Sequence, residues 1–232
     1  MQADAMCRIE ARMISNHQGG VVLMLRDFTE RYRVEQKLWR MAYYDARSGL
    51  PNLDMIRDLL TASVSRAAGA ERMVAVLRIE LLGLESVPRM LGMEGQEKFL
   101  RACTEHLLSV AKACRPERIA EPDMAIGRVS DSGFVILLDG LLERAEIDDF
   151  ATTLQQRLVG SCPLGRYQVD VDARAGAAVY PGDDMDGCQL LEKAEMAMRQ
   201  AASSDVAFYS TEIRRRTDTQ DAMVDALRLA ID

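Results

Sequence analysis

Two stretches of this chain bring polar side chains and glycine together at close spacing. They are Asp45-Ala46-Arg47-Ser48-Gly49-Leu50-Pro51-Asn52 and Arg128-Val129-Ser130-Asp131-Ser132-Gly133-Phe134. The chemistry such stretches could serve is the handling of phosphate. A tight glycine turn lets backbone amides approach phosphate oxygens, carboxylates hold divalent cations, and Arg or Lys neutralises the remaining charge. Thiol and zinc chemistry find less support. Cys7, Cys103, Cys114, Cys162 and Cys188 include no C-x-x-C pair, and His17 and His106 supply no zinc spacing. The cysteines read as small apolar residues kept reduced, which fits a cytoplasmic protein. Arg214-Arg215-Arg216, with Glu212 and Asp218 nearby, reads as a solvated helix face.

The elements that must position these stretches follow from hydrophobic periodicity. Residues 6–15 and 20–25 have strand composition and are joined by the hairpin signal Asn16-His17-Gln18-Gly19-Gly20. A charged helix is predicted over Thr29 to Tyr43, capped by Thr29. Val34, Leu38 and Met41 make one stripe on it, and Phe28, Tyr32 and Trp39 an adjacent one. Asn52 to Arg66 reads as a helix with Met55, Leu59, Leu60 and Val64 inward. Met73 to Leu82 reads as a central strand. Gly95 to Cys114 reads as a long amphipathic helix, with Phe99, Leu100, Cys103, Leu107, Leu108 and Val110 inward. Ala125 to Val129 and Phe134 to Leu138 read as strands around the turn Ser130 to Gly133. Leu141 to Val159 reads as a helix and Tyr167 to Tyr180 as an internal strand, ended by Pro181-Gly182-Asp183-Asp184. Leu190 to Ala202 reads as a helix, Val206 to Tyr209 as a short edge strand, and Thr211 to Asp232 as a final helix. The order β-α-β-β-α-β is an α+β, ferredoxin-like arrangement, with a mainly antiparallel sheet flanked by helices.

The bulk numbers agree with one full domain and a partial one. The chain has 232 residues, 48% of them hydrophobic and 28% charged. A net charge of −7 argues against a nucleic-acid groove. No apolar run reaches the roughly 18 residues needed to span a bilayer. No basic region followed by an apolar block marks a signal peptide. The opening alternation of apolar and polar residues resembles the end of a β-sheet, so a piece of a longer protein is expected.

Asp45 to Asn52 resembles the D-x-L-T-G-L-P-N stretch that opens the GGDEF domain, the diguanylate cyclase family. The resemblance covers about residues 45–210 and implies a nucleotide-cyclase palm core. Arg26-Asp27-Phe28-Thr29-Glu30-Arg31 resembles the R-D-[IV]-T-E-R tail of a PAS sensor domain, which would make residues 1–28 its last strands and 29–44 a signalling linker helix. Ala226-Leu227-Arg228-Leu229-Ala230-Ile231-Asp232 resembles the L-R-x-A-I lead-in to an EAL phosphodiesterase domain, so 211–232 would be the linker toward it. Active members of the family join two GTP molecules with the help of Mg²⁺.

The family pattern carries over residue by residue, with many departures. Glu80 stands at the first metal aspartate, and Leu81 could offer its backbone carbonyl. Leu82 replaces a second aspartate. Glu85 replaces a phosphate-facing lysine, and Pro88 the guanine-reading asparagine. Gly92 matches, Met93 replaces histidine, Gln96 replaces glycine, and Glu97 stands at the second guanine-reading position. Where the family reads R-x-G-G-D-E-F, Ser130 and Asp131 replace both glycines, Ser132 the metal carboxylate and Gly133 the glutamate. Arg174 replaces the serine of the S-I-G strand motif, while Gly176 and Tyr180-Pro181 are kept. Ala202 and Val206 stand at basic positions. Asp123 matches the end of the R-x-x-D product site, whose arginine would fall on Ala120.

These departures imply a catalytically silent GGDEF domain of a bacterial cyclic-di-GMP signalling protein. No catalytic residue, metal or cofactor is expected. Glu80, Leu81, Glu97, Ser130, Asp131, Ser132 and Gly133 form a vestigial nucleotide site, with Glu80 a vestigial metal position. The domain would relay input from an adjacent PAS domain to an adjacent EAL domain, and the longer protein would be a cyclic-di-GMP phosphodiesterase. Residues 29–43 would pair with their copy in a homodimer, or pack on their own domain. One alternative is a GTP-binding allosteric switch or residual diguanylate cyclase using Mg–GTP, motivated by Glu80 and Glu97. Another is a protein-interaction module using the altered turn.

Overall fold

The structure is a computed structural model describing residues 7–15, 21–82, 87–164 and 167–210, with the side chains of 15, 21, 22, 87–91, 93, 94, 96, 161–164 and 167–169 outside the description. The chain divides into two units, residues 1–44 and 45–232.

In the first unit, β1 (Ile9–Ser15) and β2 (Val21–Asp27) form an antiparallel ribbon. Ala11 faces Leu25 and Met13 faces Leu23, so one face is apolar. Helix α1 (Thr29–Tyr43) follows and buries none of its residues; Val34, Leu38 and Met41 are exposed. Thr29 does not cap it. The Asp27 carboxylate accepts the Thr29 amide at 2.8 Å, and the Thr29 hydroxyl accepts the Arg8 amide at 2.9 Å. The hydroxyl is drawn to the strand because Asp27 already satisfies the helix end.

The second unit is a six-stranded sheet with helices on both faces. The strand order is β4 (Met124–Arg128), β5 (Gly133–Leu141), β3 (Met73–Leu82), β7 (Tyr167–Tyr180), β6 (Gly160–Leu164). β8 (Val206–Phe208) adds to β7 in parallel; every other pair is antiparallel. This is the α+β palm arrangement expected from the sequence.

The period-two alternation of β3 sorts the core. Leu77, Ile79 and Leu81 lie in the cluster that holds Phe99 and Leu107 of α3 (Val87–Cys114) and Ile147 and Phe150 of α4 (Arg144–Leu158). Val74 and Val76 lie in the cluster with Ile56 and Leu60 of α2 (Leu53–Ala67) and Leu190 and Ala194 of α5 (Gly187–Gln200). The next residues on that second face are Arg78 and Glu80. Charge therefore takes over from Val at one end of the central strand.

Several boundaries differ from expectation. The buried face of α2 is Ile56, Leu60, Val64 and Ala67, while Met55 and Leu59 are half-buried. Strand β5 runs on to Leu141, and α4 starts at Arg144, because Glu146 Oε2 accepts the amides of Leu142 and Glu143 at 2.9 and 3.2 Å. Strand β6 was not anticipated; Gly160 and Pro163 suit an edge strand. Helix α3 begins at Val87 rather than Gly95, with a break at Gly92, whose φ of 69° favours glycine. The 16–20 turn, the segment 83–86 and the 211–232 helix with its Arg214 to Arg216 run lie outside the described residues. Among the described residues no helix is long and apolar enough to cross a membrane.

Candidate functional site

The loop that opens the second unit is held by its own polar residues. Asp45 Oδ1 accepts the Ser48 amide at 2.8 Å, the Ser48 hydroxyl at 2.6 Å and Arg128 Nη1 at 2.8 Å. Gly49 takes a φ of 72°, which brings its amide onto the Asp45 carbonyl at 2.8 Å. Asn52 then caps α2 by accepting the Met55 amide at 3.0 Å. Burial pushes the Asp45 carboxyl up, but the bonds from Ser48 and Arg128 outweigh it and hold the carboxyl below its ordinary range. The loop is thus an anchor for the end of β4, where Arg128 also donates its amide to the Pro51 carbonyl at 2.8 Å.

The four-residue turn between β4 and β5 is tied to this loop. Asp131 Oδ1 accepts Arg47 Nη1 at 2.8 Å and Arg128 Nη2 at 3.1 Å. Arg128 is buried and the Asp131 side chain stands 84% exposed, so the carboxylate reaches in from solvent to two guanidinium groups. The amides of Val129 and Ser130 both point to the Gly133 carbonyl, at 2.9 and 3.3 Å. The Ser132 carbonyl accepts the Leu81 amide at 2.9 Å.

That last bond brings the turn to the end of β3. Glu80 lies opposite Gly133 on one side and Arg174 on the other. Arg174 forks onto a single oxygen, Glu80 Oε2, with Nε at 2.8 Å and Nη2 at 2.6 Å. Two residues back on the same face, Arg78 donates to the Phe134 carbonyl at 3.2 Å. A Cβ on Gly133 would lie 2.6 and 2.9 Å from the two terminal nitrogens of Arg78, and against Ser130 Oγ. The Arg78 guanidinium therefore fills the space beside residue 133. Burial pulls its pKa down, against the opposing pull of Glu195 and Glu80. Glu195 on α5 sits 3.8 Å from Arg78 Nε and accepts Arg199 Nη2 at 2.8 Å. Helix α5 comes this close because residue 176 is glycine: a Cβ there would lie 2.6 Å from Met198 Cα.

The structure brings Glu80, Leu81, Ser130, Ser132 and Gly133 together, with the exposed Asp131 carboxylate turned to Arg47 and Arg128 instead. Glu97 stands apart, exposed on α3. It lines a cleft of about 390 Å³ with Arg47, Ser48, Lys98, Arg101 and Thr104. The side chains of Glu85, Pro88, Met93 and Gln96 lie outside the described residues. Asp123 lines a cavity of about 190 Å³ with Arg72, Arg118 and Asp139, in which Arg118 is paired with Glu146 and Asp139 with Arg66.

Sequence reasoning missed Arg78 and the roles of Arg47 and Arg128. The available signal was charge inside apolar strands. Arg78 interrupts MVAVLRIELL two residues before Glu80, on the same face, and Arg174 interrupts the apolar part of β7.

The family model described as "Diguanylate cyclase, GGDEF domain" matches residues 42–205. The chain is 25% identical over 224 residues to signaling protein YkoW of Bacillus subtilis, covering 94% of this chain and 27% of the relative. It is 26% identical over 207 residues to the bifunctional diguanylate cyclase/cyclic di-GMP phosphodiesterase MucR of Pseudomonas aeruginosa, covering 88% and 29%. The chain thus spans under a third of the length of either relative. A solved GGDEF-only fragment of TpbB (YfiN) from Pseudomonas aeruginosa superposes with a TM-score of 0.67 at 20% identity, over 76% of this chain and 99% of that one.

Proposed function

The chain belongs to the GGDEF domain (diguanylate cyclase) family, and from that premise we propose that its second unit is a non-catalytic regulatory domain of a cyclic-di-GMP signalling protein. The observation that carries this proposal is the Arg174 fork on Glu80.

Diguanylate cyclase chemistry needs two divalent ions held by carboxylates. The residues present do not fit that requirement. Glu80 is the one carboxylate at the family's metal positions, and its Oε2 lone pairs already accept from a guanidinium. Ser132 and Gly133 offer no charge, and Arg78 fills the space a glutamate at 133 would use. Magnesium binds through carboxylates and water in near-octahedral geometry, and a fixed cation within 3 Å repels it. The phosphate side is equally committed, because Arg47 and Arg128 are both on Asp131. Removing a single electrostatic contact from an active site costs about 3–4 kcal/mol of transition-state stabilisation. Several are absent here together.

A silent domain acts through its joints. The match to multidomain relatives, together with the stretches at 26–31 and 226–231, supports a place between an upstream sensor of PAS type and a downstream EAL phosphodiesterase. Helix α1, with its exposed Val34, Leu38 and Met41, would carry the input.

A second proposal, a GTP-responsive switch, draws on the open cleft around Glu97, whose volume falls in the range of small-molecule sites. Isothermal titration of Mg–GTP and of cyclic di-GMP into the chain separates the two, with chromatography of products after overnight incubation. The regulatory proposal expects no product and no heat at millimolar ligand. Product formation would overturn it. Saturable heat without product, abolished by Glu97→Ala, would favour the switch.

A further inference from the structure

The misfit between Glu80 and a metal ion extends beyond one pair. Along the α2/α5 face, charges alternate from strand to strand to helix: Arg174 on β7, Glu80 and Arg78 on β3, Glu195 and Arg199 on α5. The links are 2.6 and 2.8 Å for Arg174 to Glu80, 3.8 Å for Arg78 to Glu195, and 2.8 Å for Arg199 to Glu195. Arg78 lies between Glu80 and Glu195 and feels both. Two of the cations in this series sit where a carboxylate site would otherwise gather divalent ions: Arg174 on the oxygen of Glu80, and Arg78 in the space left by Gly133.

We propose that Arg174 and Arg78 are resident cations that stand in for divalent metal at this end of the sheet, and that Arg174 is the group that bars a metal from Glu80. The proposal rests on the non-catalytic assignment and adds to it a cause and a dependence. A half-buried carboxylate needs a cation or several donors to be tolerated at a sheet end. In a metal site the ion supplies that charge and comes and goes with its concentration. Here the charge is covalently part of β7. The geometry of β3, β7, the turn and α5 is then set without metal, and metal concentration cannot act on it.

The asymmetry of the fork supports this. Both Arg174 nitrogens converge on Oε2, while among the described residues no bond to Oε1 is formed. A metal would need Glu80 together with further oxygens. The Leu81 carbonyl and the residue-174 side chain are the near candidates, since Arg174 is the direct cross-strand neighbour of Glu80. Shortening residue 174 removes the competing cation and puts a hydroxyl in its place.

The test measures Mn²⁺ binding by the loss of the free-ion EPR signal, and the melting temperature with and without Mn²⁺. The proteins are the wild-type chain, Arg174→Ser, Arg174→Lys, Glu80→Gln and Arg174→Ser/Glu80→Gln. The wild type and Arg174→Lys are expected to show no Mn²⁺ binding that Glu80→Gln removes, and no change in melting temperature with Mn²⁺. Arg174→Ser is expected to melt about 2–4 °C lower without metal. It should recover that loss in millimolar Mn²⁺ and bind the ion about tenfold or more tighter than the wild type. The double substitution should lose the recovery. Glu80-dependent Mn²⁺ binding by the wild type would overturn the barrier role of Arg174. Loss of stability in Arg174→Ser with no recovery in Mn²⁺ would make the arginine a structural residue only, and would overturn the surrogate role. The first outcome would also remove the metal argument for the non-catalytic assignment, but the assignment itself is tested separately and falls only if the wild type makes product from Mg–GTP.

Discussion

Gly133→Ala is the substitution whose effect the geometry fixes best. Gly133 is not in the left-handed region, so alanine is compatible with its backbone and only space is at issue. A Cβ there falls 2.6 and 2.9 Å from the Arg78 guanidinium nitrogens, and these must retreat by the better part of an ångström. Arg78 has little freedom to do so. Its side chain is 11% exposed, it donates to the Phe134 carbonyl, and Glu195 lies against Nε. Overpacking of this kind costs about 1–3 kcal/mol, offset by about 0.4–1 kcal/mol from the stiffer unfolded chain. A net loss of about 1–2 kcal/mol lowers the melting temperature of a domain this size by about 2–8 °C. The assay is urea and thermal unfolding followed by circular dichroism, in the wild type and in an Arg78→Ala background. With Arg78 removed only Ser130 Oγ still crowds the added methyl group, and that short side chain can rotate away, so alanine at 133 should cost clearly less there, a coupling of about 1 kcal/mol or more. An alanine variant as stable as the wild type, or an equal loss in both backgrounds, would refute the claim that Arg78 occupies the place of a residue-133 side chain.

Other substitutions probe the same framework. Arg128→Ala leaves the Asp45 carboxylate without its guanidinium and Asp131 with Arg47 alone; a loss of about 3 kcal/mol is expected in denaturant titration, at the low end for a broken buried pair because Asp45 keeps 25% of its surface in water. Gly176→Ala drives a methyl group into the backbone of α5 at Met198 and Ala194, and should cost more than Gly133→Ala in the same titration, since backbone cannot swing away as a side chain does. Asp45 has a depressed folded pKa, so its contribution is fully present above the unfolded carboxylate value and is lost as pH falls through the folded one. Asp45→Asn should therefore flatten the acid limb of the stability–pH curve below about pH 4 and lower stability at pH 7. Asp183 has the opposite sign: burial raises its pKa and disfavours its charged form, so Asp183→Asn should hold or raise melting temperature at pH 7 while still accepting the Val179 amide.

The fold was legible because its signals are apolar and periodic. The valines, leucines and isoleucine of Met73–Leu82 mark a central strand whatever surrounds it, and the amphipathic spacing of Phe99, Cys103 and Leu107 marks a helix. Boundaries were less legible where side-chain bonds decide them. Glu146 reaching back to the Leu142 and Glu143 amides moves the start of α4 by three residues, and no periodicity records such a bond. In the site, the types of Glu80, Ser132 and Gly133 were enough to see that carboxylates are few. The compensation was not visible. Arg78, Arg128 and Arg174 gain their meaning from register: Glu80 is opposite both Gly133 and Arg174 only once β3 is paired with β5 and β7. Those contacts join residues 53 to 94 positions apart, which a local pattern cannot report.

Self-satisfied charge also constrains how a domain of this kind could carry a signal. A ligand shifts a conformational equilibrium only by the difference in its affinity for the two states. Around the turn, Arg47 and Arg128 are on Asp131, Arg174 is on Glu80, and Arg199 is on Glu195, so an incoming phosphate or cation would have to break an existing pair for each one it makes. The exchange leaves little differential energy for a nucleotide to use. Mechanical input needs no such energy from the site. A domain whose sheet and α5 are cross-linked by fixed charges moves as one body and passes a displacement on undamped. Loosening that body should therefore weaken regulation even with every joint intact. In a protein that carries this domain between a sensor and a phosphodiesterase, the arrangement proposed above, Arg174→Ser is expected to reduce the response of the phosphodiesterase to input, and Mn²⁺ should restore part of it. A response left unchanged by Arg174→Ser would show that the rigidity of this sheet end plays no part in transmission.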